Sequence, residues 1–207
     1  MKARNFLISL AFLLTASTLN AQNSTDAIVR TFIDQLKSHK NLELVFNYQF
    51  SFDEENVNNS QQGHAWLQGD CYRIEMGEQH YISDGKTAWT YFPLDEEVMI
   101  SNAADGADNT PLKFLTSLDK NYAATLIKKD NNGMCTVELA NPTGQYRRIK
   151  LKINTKSTEI KSADIYLDDG SKMVISIEKQ KFDQKLDDKF FVFDATAHPK
   201  VEVIDMR

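Results

Sequence analysis

From Leu42 onward apolar side chains fall on every second residue, Leu42, Leu44, Phe46, Tyr48, Phe50 and Phe52, with Glu43, Asn47, Gln49 and Ser51 between them. A period of two puts one set on one side of an extended chain, so the segment predicts a long strand with a strongly apolar face. Ahead of it the period is helical. Ile28, Val29, Phe32, Ile33 and Leu36 form a single apolar stripe, with Ser24 as the expected cap and an end near Lys40.

Past the polar stretch Asp53 to Gln62, short strands are predicted near 63–68, 71–76, 79–83, 87–92 and 97–101, turning at Gly69-Asp70, Gly77-Glu78, Asp84-Gly85 and Pro93 to Asp95. Connections this short leave no room for crossover helices, so neighbours pair antiparallel. Asn102 to Asn109 reads as a loop, and Thr110-Pro111 opens a short helix with Leu112, Leu115 and Leu118 on one side and Phe114 beside them. Further strands are predicted near 123–129, 134–140, 146–154, 159–167 and 172–181, and Phe190 to Phe193 and Val201 to Ile204 as a last extended piece. A sheet of about eleven strands curls, which predicts a mainly β fold with α elements: an antiparallel barrel or half-barrel, too wide for its own side chains to fill. Its interior holds either the helices or a ligand.

Residues 1–21 stand apart. Lys2 and Arg4 precede the apolar run Phe6 to Leu14, and Leu19-Asn20-Ala21 ends in a small residue, the pattern of a secretory signal peptide. The run is shorter than the ~20 residues a spanning helix needs. With no Cys near the cleavage point, the product is expected to be exported and not itself lipid-anchored. Residues 22–207 then form a single domain.

The chain has 207 residues with 24 Lys+Arg against 29 Asp+Glu, a net charge of −5 that grows more negative once Lys2 and Arg4 are removed. A nucleic-acid partner is not expected, because phosphate-backbone binding needs concentrated cations. Export permits a disulfide, and Cys71 and Cys135 are the only pair, but their phases oppose one: Cys71 alternates with Arg73 and Glu75, Cys135 with Val137 and Leu139.

Catalytic signatures are sparse. The glycines never fall in the spacing of a dinucleotide fingerprint or a phosphate loop, no Gly-x-Ser-x-Gly elbow occurs, and His39, His64, His80 and His198 are dispersed, so no metal site is expected. Acid pairs such as Asp168-Asp169 and Asp187-Asp188 sit at turns, where solvated carboxylates are ordinary. Lys150 and Lys152 alternate with Ile149, Leu151 and Ile153, as on the outer face of an amphipathic strand. What stands out is large apolar bulk assigned to one sheet face: Phe46, Tyr48 and Phe50; Tyr72 and Ile74; Trp89 and Tyr91; Val98 and Ile100. These residues form either a dry core or the wall of a ligand cavity.

The run Ile82-Ser83-Asp84-Gly85-Lys86-Thr87-Ala88-Trp89-Thr90-Tyr91-Phe92-Pro93, followed by Glu97-Val98, resembles the LolA family of periplasmic outer-membrane lipoprotein carriers. Tyr72-Arg73-Ile74-Glu75 upstream, Asn109-Thr110-Pro111 with its apolar helix, and the ending from Phe191-Val192-Phe193 to Val201-Glu202-Val203-Ile204 are similar too. The resemblance implies an unclosed eleven-stranded half-barrel with helices forming a lid over an apolar cavity. It implies a non-enzymatic, monomeric, cofactor-free carrier whose cargo is acylated lipoproteins, loaded by an inner-membrane exporter and released to an outer-membrane acceptor. On this reading Phe46, Tyr48, Phe50, Tyr72, Ile74, Trp89, Tyr91, Val98 and Ile100 line the acyl-chain cavity, and Leu112, Phe114, Leu115 and Leu118 form the lid. A periplasmic binder or sensor of the same fold for another lipid is the alternative. One position departs: where many carriers have an Arg-Pro pair before the aromatic strand, this chain has Gly69-Asp70, so no residue inherits that arginine's hold on the lid.

Overall fold

The structure, a computed structural model, describes residues 15–52, 60–106, 122–143 and 146–207. Helix α1 (Thr15–Ser38) precedes strands β1 (Leu42–Ser51), β2 (Ser60–Gln68), β3 (Cys71–Met76), β4 (Gln79–Ser83), β5 (Thr87–Phe92) and β6 (Glu97–Asn102). A single turn, α2 (Ala103–Gly106), follows β6. Then come β7 (Ala123–Lys129), β8 (Met134–Ala140), β9 (Tyr146–Asn154), β10 (Glu159–Leu167) and β11 (Lys172–Phe182). Two short 3-10 turns (Asp188–Phe191 and Ala195–Ala197) lead to β12 (Glu202–Asp205).

The twelve strands form one sheet in the order β12-β6-β5-β4-β3-β2-β1-β11-β10-β9-β8-β7. β7 and β12 are its edges and do not pair with each other, so the half-barrel is unclosed. Consecutive hairpins make the pairing antiparallel, as their short turns require. The exception is β12, which returns after a long connection to lie parallel to β6. At the β4–β5 turn, Asp84 Oδ1 accepts from the Lys86 and Thr87 amides at 2.8 and 2.7 Å. Gly85 sits there at φ +86°, where an added Cβ would also lie 3.3 Å from the Asp70 side chain.

Two expectations need correction. Helix α1 begins upstream of Ser24, because the stretch from Thr15 to Ser24 contains no Gly or Pro to break it. Phe190 and Phe191 are not extended: the Asp187 carboxylate accepts from the Lys189 amide at 2.9 Å and starts a 3-10 turn, so only the Glu202–Asp205 part of the tail becomes a strand. The expected lid residues Leu112, Phe114, Leu115 and Leu118, and most of the expected signal peptide, lie outside the described residues.

The core lies between α1 and one face of the sheet. Phe32 is 1% exposed, and Val29 and Ile33 are buried with it against Leu44, Phe46, Val137, Leu139, Ile149, Leu151 and Ile153. The end of α1 is tied to the end of β11. Asp183 accepts from the Lys40 amide at 2.7 Å and pairs with His39 Nδ1 at 2.8 Å, which holds its carboxyl below the usual carboxylate range. Asn41, buried at the same junction, exchanges hydrogen bonds of 2.8 Å with the backbone of Gln184.

Candidate ligand-binding cavity

Because strand side chains alternate, the register assigns each residue to a face. On the face toward α1, one row across the sheet reads Leu44, Ala65, Ile74, Tyr81, Thr90 and Met99; a parallel row reads Leu42, Leu67, Tyr72, Ser83, Ala88 and Ser101. At their β1–β3 end Leu44, Ala65 and Ile74 are sealed beneath α1. At the β3–β6 end the same face opens on a cavity of about 280 Å³ lined by Tyr72, Gln79, Tyr81, Ala88, Thr90, Phe92, Met99, Ser101 and Met206. The interior is therefore dry core on one side and reachable cavity on the other. Of the apolar bulk, Phe46 and Ile74 belong to the dry part.

Of the residues expected in the cavity, Tyr72 lines it. Tyr48 and Phe50 lie on the same face, half-buried against the core, while Phe46 and Ile74 are core residues at 0% and 1% exposure. Trp89, Tyr91, Val98 and Ile100 belong to the opposite face. Their rows read Glu43, Trp66, Arg73, Ile82, Trp89, Ile100 and Val45, His64, Glu75, His80, Tyr91, Val98. The physical reason is that the outer face of β4–β6 is also covered. The chain from Asp187 to His198 crosses it, burying Phe191 and setting Phe193 and His198 against the Tyr91 ring at 5.0 and 4.8 Å. Apolar bulk on both faces leaves no alternation to read. Gln79, Tyr81, Thr90, Met99 and Ser101 were missed for that reason, although the phase of Tyr72 carried through the hairpin register leads to them.

Burial pushes the Tyr48, Tyr72 and Tyr81 hydroxyls above the usual phenol range, so they remain protonated donors. Tyr81 donates to Gln79 Oε1, and Ser83, opposite Tyr72 in the register, counters part of the rise at the Tyr72 hydroxyl. Outside, Trp66 packs between His64 (3.7 Å) and Phe190 (5.1 Å), with the Arg73 guanidinium 5.2 Å from the Phe190 ring centre. Both cysteines are free. Cys71 is half-buried on the outer face and Cys135 buried in the core; burial and then the nearby Asp84 carboxylate push the Cys71 thiol up. Among the described residues no group of three His, Cys, Asp or Glu is placed to hold a metal ion.

His80, on the outer face of β4 beside Tyr91, is expected to give the stability a pH dependence. Burial holds His80 below its ordinary 6.5, against the opposing pull of Glu75. The unfolded chain therefore takes up this proton before the folded one does. Stability is unaffected well above that range and declines as pH falls through 6.5 toward the depressed value. Urea midpoints at pH 7.5 and 5.5 are expected to differ less for His80→Gln than for the parent; an equal difference would assign the effect to other groups.

The fold is thus an open β-sheet with a helix packed on one face and a pocket at the β3–β6 end of that face. The chain belongs to the LolA family: the family model described as outer membrane lipoprotein carrier protein LolA matches residues 38–194. An outer-membrane lipoprotein carrier protein of Photorhabdus laumondii is 32% identical over 107 residues, 50% of this chain and 51% of that one. A protein of the same name from Pasteurella multocida is 33% identical over 91 residues, 44% and 38% of the two chains. The chain thus spans about half the length of the first of these curated relatives, and less of the second. The crystal structure of an uncharacterized conserved protein from Thermus thermophilus shares the fold at TM-score 0.57 and 10% identity, over 85% of this chain and 98% of that one. Among the described residues no helix is long and apolar enough to cross a membrane.

Proposed function

We propose that the protein is a non-enzymatic periplasmic carrier, exported through residues 1–21, that shields the acyl chains of lipoproteins and moves them from an inner-membrane exporter to an outer-membrane acceptor. The observation that carries this reading is the hollow half of the inner face, in a chain whose family is named for lipoprotein carriage. The driving force is ordinary: each methylene withdrawn from water contributes about 0.8 kcal/mol. Release requires that the fit be loose, and a cavity on β3 to β6 of an open-edged sheet supports that reading. Leu112, Phe114, Leu115 and Leu118 are proposed as the cover of that cavity.

Native mass spectrometry of protein recovered from its own periplasm tests the proposal. A co-purifying acylated polypeptide supports it. Free lipid alone would move the reading to a binder of another amphiphile on the same fold, and an empty protein that also fails to take up an acylated peptide would reject both. In the same assay Thr90→Glu is expected to weaken binding of a triacylated peptide tenfold or more, because a carboxylate in the cavity must be desolvated beside hydrocarbon. Lys152→Glu, on the exposed outer face of β9, is expected to change it little. Equal losses would place the ligand elsewhere.

A further inference from the structure

The inner face changes chemistry along its rows. One row is Leu, Ala and Ile as far as β3 and then turns to Tyr81 and Thr90; its neighbour turns from leucines to Tyr72, Ser83 and Ser101. A shell for bare hydrocarbon gains nothing from these groups, since a hydroxyl closed off from water without a partner costs free energy. One of the set is paired within the protein, Tyr81 with Gln79. Thr90 and Ser101 have no protein hydrogen-bond partner for their hydroxyls among the described residues, and both line the cavity. They lie on either side of an apolar pair, Ala88 and Met99, so the polar groups are interleaved with surface that suits a chain.

We propose that this part of the cavity receives the carbonyl-bearing junction of an acylated ligand, whose ester or amide oxygens accept from Thr90 and Ser101 while the adjoining hydrocarbon lies on Phe92, Met99 and Met206. Tyr81 is a further donor once its bond to Gln79 is exchanged. The inference rests on the carrier reading and adds to it the ligand's functional group: the cavity selects acyl chains that carry a carbonyl, not alkyl chains as such. A carbonyl supplies acceptors only, which matches hydroxyl donors left open toward the cavity. These hydroxyls lose water when a ligand enters the cavity, and the carbonyl restores the bond.

The test is a competition assay on the whole protein with a monoacylglycerol and the monoalkylglycerol of equal chain length, which differ only in the carbonyl, and with a triacylated lipopeptide. The parent is expected to bind the ester roughly three- to tenfold more tightly than the ether, the factor one net hydrogen bond supplies. In Thr90→Val/Ser101→Ala the ratio is expected to fall to about one with ether binding retained. Lys152→Gln on the outer face is expected to keep the parental ratio. Should the double variant fold poorly, Tyr81→Phe is expected to lower the ratio by itself. A parental ratio near one, or a ratio that none of the cavity variants changes, overturns the proposal. If the lipopeptide still binds in that case, the carrier reading survives alone; if neither lipid nor lipopeptide binds, both fall.

Discussion

Phe32→Ala is expected to cost about 3–5 kcal/mol, the range for a fully buried aromatic that leaves a cavity behind. Phe32 is 1% exposed and is the central contact of α1 with the sheet, flanked by Val29 and Ile33. The helix has little reason to persist without that packing, because helices draw most of their stability from a buried face. In a protein with ~5–15 kcal/mol in total, such a loss is a large fraction, and at roughly 2–4 °C per kcal/mol the melting temperature should drop by about 6–20 °C. Phe52→Ala provides the comparison: that side chain is 57% exposed and touches Phe50 at its edge, with ring centres 5.0 Å apart. Its loss is expected to shift melting by a few degrees at most. Thermal unfolding followed by circular dichroism decides the matter, and similar shifts for the two variants would mean that α1 does not close the half-barrel as described.

Gly63→Val should be damaging for the opposite reason, though less so. Gly63 stands directly across from Phe46 in the β1–β2 register, and the Phe46 ring lies over the glycine. A Cβ at position 63 would come within 2.3 Å of Phe46 Cζ and 2.8 Å of both Cε atoms. The ring is itself fully buried. Valine is otherwise favoured in a strand and glycine disfavoured, so propensity alone forecasts a gain; the contact forecasts an overpacking loss of about 1–3 kcal/mol. Gly63→Val is expected to lower the urea midpoint, and Phe46→Leu in the same chain to recover part of that loss, which is the non-additivity expected of touching residues. Additive losses would show that the ring and the glycine do not share one space.

Several elements were legible because their cause is local. The even-numbered apolar run from Leu42 has its counterpart in β1, and the Gly- and Asp-centred turns lie where the hairpins reverse, Asp84 holding its turn with its own carboxylate. The tail could not be read so directly. Val201 to Ile204 has the composition of a strand, but its partner is β6, about a hundred residues earlier in the chain, and it lies parallel. No local signal records a parallel pairing, since no turn joins the two strands.

The cavity marks the boundary between the two kinds of information. Sequence by itself determined the strand succession, the amphipathic helix, the opposed faces of Cys71 and Cys135 and, through the run from Ile82 to Pro93, the family. Each of these depends on neighbours along the chain, or on a motif that the chain carries intact. Only the tertiary structure decided which face of β5 and β6 is the interior. Trp89, Tyr91, Val98 and Ile100 are larger or more apolar than Thr90 and Ser101, so amphipathic reasoning turns them inward. The segment from Asp187 to His198 crosses the outer face and supplies them with a second apolar environment there. Phase follows burial, and burial here is set by a segment about a hundred residues downstream, so the strand's own alternation could not reveal that its smaller, hydroxyl-bearing residues face the cavity.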